Sequence, residues 1–109
     1  MTDAEFHWTA PIDHPAFAGH FPGRPIVPGV VLLDLAIQFA ESMPGENCLR
    51  GRNWQVGNAK FFSPVGPEEA LTFSLCTKTS RAISFTVRNA VHEVASGSLT
   101  PSPAQHEPE

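Results

Sequence analysis

His20 and Asp34 are the two residues of this chain whose types and surroundings best suit proton transfer. His20 stands in residues 19–29, GHFPGRPIVPG, where prolines and glycines hold the backbone in an ordered loop or extended form. Imidazole is the side chain that takes up and releases a proton near neutral pH, so a rigidly held histidine is a candidate base. Asp34 lies one turn into the apolar run that follows, where an unpaired carboxylate is costly to bury. Gln38 shares its helix face and can hydrogen-bond it, and no Lys or Arg on that run neutralises it.

Pro28-Gly29 supplies a third component. The first N–H groups of a helix have no intrahelical acceptor, so those of Gly29 and Val30 would project from the helix start with the positive end of its dipole. Gly29 has no side chain to bar a ligand. Such a place suits a developing oxyanion, for example on a thioester carbonyl. A base, an acid and an oxyanion donor outline a reaction site. The plainer alternatives stay open here: an early Asp can serve the helix dipole, and a His near a turn can be structural.

These residues need elements to position them. Glu5 to Ile12 (EFHWTAPI) alternates loosely and predicts a strand that Pro11 ends or pushes to an edge, with a turn at Asp13-His14-Pro15. Pro at a first helical position and a nearly continuous apolar run predict a helix from Pro28 to near Met43, stopped by Pro44-Gly45 and buried on most sides. Asn53 to Phe62, Leu71 to Thr79, Ala82 to Asn89 and His92 to Leu99 predict four strands, the last interrupted by Gly97. One strand, one apolar helix and four more strands predict an α+β domain over residues 1–100, a curved antiparallel sheet wrapped around a central buried helix. The Pro-rich acidic tail, 101–109, is expected to be disordered.

The run from His20 to Val30, followed by Asp34 and Gln38, resembles the signature of the beta-hydroxyacyl-acyl-carrier-protein dehydratases, HFPGxPxxPGxxxx(E/D)xxxQ. The resemblance continues more weakly into KFFSPVGP from Lys60, and spans roughly residues 5–99. It implies the hotdog fold, dimers or trimers of dimers, and active sites at the subunit interface. It implies dehydration of a 3-hydroxyacyl thioester, carried on the phosphopantetheine of an acyl carrier protein, to the trans-2-enoyl thioester, without a cofactor. His20 then takes the position of the catalytic base and Asp34 that of the acid, from opposite subunits. Gly29 takes that of the residue whose N–H polarises the carbonyl, and Gln38 that of the amide that orients the acid. Val30 and Phe21 join Gly29 and Gln38 as substrate-binding positions. Apolar surroundings would keep the acid protonated for the leaving hydroxyl.

Two departures from the housekeeping enzymes stand out. Asp34 occupies a position where many of them have Glu, and the short chain is expected to lack the leading helix and strand that they place before the His motif. The compact length, the DHPxFxGHFPG run and Asp34 are most similar to the small dehydratases of aryl-polyene and xanthomonadin-type pigment clusters. In that group some subunits pair with a second hotdog protein, so a heterodimer stands beside a homodimer. The rival readings are a hotdog acyl thioesterase and a non-catalytic partner subunit of a heteromeric dehydratase.

Composition narrows the field. In 109 residues there is room for one domain, and 41% hydrophobic with 17% charged residues describes a folded chain. Net charge is −4, and all Lys and Arg fall between Arg24 and Arg88, a local positive excess too small for a nucleic-acid interface. Arg24, Arg50 and Arg52 could meet an acidic carrier protein, although exposed arginines are usually solvated surface. The opening residues, MTDAEFHW, lack the basic start and apolar core of a signal peptide, and no stretch is apolar for long enough to span a bilayer. The expectation is a cytoplasmic protein with reduced thiols at Cys48 and Cys76. His7, His14 and His20 with Asp13 or Asp34 lack the tight spacing of a zinc site, so no metal is expected. Phe17, Phe21, Phe61 and Phe62 are candidates for the wall of an acyl tunnel, with core packing the alternative for each.

Overall fold

The computed structural model describes residues 3–13, 26–43, 53–78 and 81–101. His20 and its neighbours Phe17, Phe21 and Arg24 lie outside the described residues, as do His14, Cys48, Arg50, Arg52 and the tail from residue 102. The elements are β1 (Asp3–Thr9), α1 (Gly29–Glu41), β2 (Trp54–Phe61), β3 (Ala70–Thr77), β4 (Ile83–Arg88) and β5 (Glu93–Pro101). The strands form one antiparallel sheet in the order β1-β3-β4-β5-β2. This is the predicted α+β arrangement of one helix and five strands.

Period-two patterning builds the sheet. Leu71, Phe73 and Leu75 of β3 are buried, as are Ile83, Phe85 and Val87 of β4, while Thr72, Ser74, Ser84 and Thr86 between them face outward. Each such buried side chain contributes about 1.5–3 kcal/mol relative to exposure. On β1, Phe6 and Trp8 are half-buried and Glu5, His7 and Thr9 exposed. The Phe6 ring stacks on Phe39 of α1 (centroids 4.6 Å apart), and Phe39 meets Phe73 edge-on at 5.1 Å. That aromatic row fastens the helix to the sheet.

Two expectations change. Gly97 does not interrupt the last strand: β5 runs through it and on to Pro101, which is buried and belongs to the strand rather than the tail. A Cβ at Gly97 would lie 2.8 Å from Phe85 Cε2 and 3.1 Å from the Ala59 Cα, so the missing side chain makes room for the cross-strand ring. The helix, second, is buried more narrowly than its composition suggests. Only Leu32, Ala36 and Ala40 are fully buried, one line of small and medium side chains that lets α1 approach the sheet. Val30, Asp34 and Gln38 form an exposed line offset from it by two residues, about 200° around a 3.6-residue helix.

β2 is an edge strand, and its outer backbone is unpaired among the described residues. Its register against β5 slips between Gly57 and Lys60, where Asn58 takes a left-handed conformation (φ 52°). The slip is a bulge with one extra residue on β2. The Val27 N–H donates to the Val65 carbonyl at 2.7 Å, tying the segment before α1 to the segment after β2. Helix start and strand end are thereby held together.

Candidate active site

The helix start has no side-chain cap among the described residues. Pro28 precedes it in extended conformation (φ −61°, ψ 147°), and its first turn holds no acidic residue. The Val31 N–H donates to the Pro28 carbonyl at 2.9 Å. The N–H groups of Gly29 and Val30 come before that bond, and neither finds a backbone acceptor among the described residues. Proline at the cap position explains this: it brings a rigid extended entry but no side-chain acceptor.

One turn on, Gln38 Nε2 donates to Asp34 Oδ2 at 2.7 Å. The two are four residues apart on α1, the spacing at which side chains on one helix face meet. The first turn of the helix holds no acid and its last turn no base, and no cation among the described residues pairs with Asp34. The amide therefore selects one carboxylate orientation without neutralising it. Asp34 is nevertheless exposed, because its line faces away from the chain's own sheet. The apolar enclosure expected around this acid is not supplied by this chain alone.

Beside the helix start is a cleft of about 460 Å³, bounded by residues 26–29 and Leu32 on one side and residues 61–64 on the other. Its walls are largely apolar. Phe61 and Phe62 are 48% and 54% exposed, so they are surface residues and not core. A Cβ on Gly29 would fall 2.9 Å from both Cε1 and Cζ of Phe61: the tip of that ring occupies the space a side chain would need. A side chain at position 29 would displace that ring, so Gly29 permits the close approach. A smaller hollow of about 260 Å³ by Thr72, Arg88 and His92 holds none of the nominated site residues.

Of the residues singled out from sequence, Asp34 and Gln38 are hydrogen-bonded together, and Gly29 and Val30 lie at the same end of α1. His20 and Phe21 lie outside the described residues. His7 sits on the outer sheet face, its Nδ1 3.3 Å from Thr72 Oγ1, and His92 is exposed at the β4–β5 turn. Among the described residues no three His, Cys, Asp or Glu side chains gather as a metal site. The contact of Phe61 with Gly29 was not foreseen. The only signal for it is the pair Phe61-Phe62 at the end of a strand, just before Ser63-Pro64.

A family model described as ApeI-like, ApeI dehydratase, matches residues 1–98. The 3-hydroxyacyl-[acyl-carrier-protein] dehydratase FabZ of Chlamydia trachomatis is 40% identical over 67 residues, which are 56% of this chain and 44% of that protein. Its namesake from Agrobacterium fabrum is 32% identical over 74 residues, 64% of this chain and 48% of the relative. The chain thus spans about half the length of the curated relatives it matches. In three dimensions it is similar to a chain of the dehydratase heterocomplex ApeI:P from Xenorhabdus doucetiae, with a TM-score of 0.78, 20% identity, and coverage of 91% of this chain and 86% of that one. A hot-dog-like protein from Thermanaerovibrio acidaminovorans superposes with a TM-score of 0.66 at 13% identity, covering 90% of this chain and 77% of that one. The sheet-and-helix architecture is therefore the hotdog fold, and the chain, matched over nearly its whole length, belongs to the ApeI-like dehydratase family.

Proposed function

We propose that this protein dehydrates a 3-hydroxyacyl thioester, carried on the phosphopantetheine arm of an acyl carrier protein, to the trans-2-enoyl thioester. The observation that carries this reading is Asp34, held by Gln38 on the side of α1 that faces away from its own sheet. A second chain covering that line would give the acid the apolar enclosure that this chain alone does not supply.

In this mechanism the thioester oxygen lies at the N–H groups of Gly29 and Val30, which stabilise negative charge as it develops. His20 of the covering chain removes the proton at C2. The electrons of that C–H bond form the C2–C3 double bond as the C3–O bond breaks, and Asp34 gives its proton to the departing hydroxyl, which leaves as water. The proton on His20 then returns to the carboxylate through solvent or product water. The covering chain is a hotdog subunit, a second copy of this one or a homologous partner. The exposed line on α1 and the unpaired edge of β2 support such an association. A cytoplasmic site of action is part of this reading.

The test is incubation of the purified protein with a 3-hydroxyacyl carrier protein, following the enoyl product by mass. Enoyl formation that disappears in His20→Ala and in Asp34→Asn is expected. Release of free acid without enoyl would assign a thioesterase instead. Activity only after addition of a second hotdog protein would select the heteromer.

A further inference from the structure

We propose that Phe61 sets the bulk the enzyme tolerates at C2 of the acyl group, immediately beside the thioester carbonyl. The inference rests on the dehydratase reading above and adds a specificity-determining residue to it.

Three observations meet at this ring. Its tip lies against Gly29, with Cε1 and Cζ 2.9 Å and Cε2 3.2 Å from the position a Cβ would take. It forms a wall of the cleft that opens at the helix start, opposite Leu32 and Pro28. It is 48% exposed and pairs across the sheet with the small Ala95, so core packing does not account for so large a side chain there.

The geometry then limits the substrate. An oxygen hydrogen-bonded to a backbone nitrogen at about 2.9 Å puts its carbonyl carbon about 4 Å from that nitrogen. The next carbon, C2, is then within reach of the ring tip that lies against Gly29. Hydrogens at C2 fit in van der Waals contact. A methyl branch at C2 on the side of the ring would compete with it for that space. The chain therefore prefers 3-hydroxyacyl groups unbranched at C2, and a smaller residue at 61 relaxes that preference.

The experiment compares two carrier-bound substrates, a 3-hydroxyacyl group and its 2-methyl counterpart, which keeps the one C2 hydrogen that elimination requires. In wild type, the ratio of kcat/KM should favour the unbranched substrate. In Phe61→Ala and in the more conservative Phe61→Leu it should move toward the branched one by about tenfold or more, the range that one methyl group commands in an apolar pocket. Gly29→Ala should lose activity on both substrates, and Gly29→Ala/Phe61→Leu should regain part of it, because the added methyl then has room. An unchanged ratio in both Phe61 variants would overturn the proposal, as would equal loss on both substrates in folded protein. No enoyl from either substrate with wild type would instead remove the dehydratase reading, and this inference with it.

Discussion

Replacement of Gln38 tests whether the amide acts through Asp34. Gln38→Ala removes a 2.7 Å bond to a carboxylate, and Gln38→Glu keeps the shape while replacing the donor with a like charge. Hydrogen bonds to charged groups contribute about 1.5–3 kcal/mol, and this one lies on an exposed helix face, which argues for the lower end. About 1.4 kcal/mol in the transition state is tenfold in rate, so kcat should fall about tenfold in Gln38→Ala. Gln38→Glu should fall at least as far, since it loses the donor and opposes the negative charge that develops on Asp34 as its proton leaves. KM should change little in either variant, because the acid acts on the leaving hydroxyl and not in binding. Folding stability should fall by no more than the bond itself contributes, about 1.5 kcal/mol. Steady-state kinetics with a thermal melt separates the two effects. If kcat is unchanged in both variants while Asp34→Asn is inactive, the amide does not position the acid and this reasoning fails.

Further consequences can be measured directly. Val30 is 69% exposed on the same helix line as Asp34, so Val30→Asp should prevent association and abolish dehydration. Sedimentation velocity checks this, and an associated, active variant counts against burial of that line. Gly97→Ala would force a methyl to within 2.8 Å of the Phe85 ring and should cost about 1–3 kcal/mol in denaturant unfolding. Adding Phe85→Leu should return part of that loss, and a Gly97→Ala protein of full stability would show that the ring does not need the space.

Much of this fold was legible because its strands alternate cleanly. Leu71, Phe73 and Leu75, and Ile83, Phe85 and Val87, announce one buried face each, and proline marks the start of α1. The glycine signal was ambiguous. At Gly97 a break and a close approach leave the same letter, and only the position of Phe85 across the sheet distinguishes them. The helix was harder to read because apolar residues lie almost all round it, and sequence does not say which are covered by the same chain. Leu32, Ala36 and Ala40 meet the sheet, while Val30 is left to solvent with Asp34 and Gln38. The Asp34–Gln38 pair was visible because both partners sit on one helix at a fixed spacing. The Phe61–Gly29 contact joins residues far apart in sequence, so no local pattern encodes it.

The central claim, a dehydratase site assembled from two chains, is tested most directly by complementation. Purified His20→Ala and Asp34→Ala proteins are each assayed alone and after mixing and re-equilibration, with enoyl thioester as the readout. Each should be inactive alone. In an equimolar mixture of homodimer-forming chains, half of the dimers pair the two variants, and each of those carries one intact site of two. Activity should therefore return to about one quarter of wild type. No recovery in a mixture shown to exchange subunits, or full activity in either variant alone, would contradict the shared site.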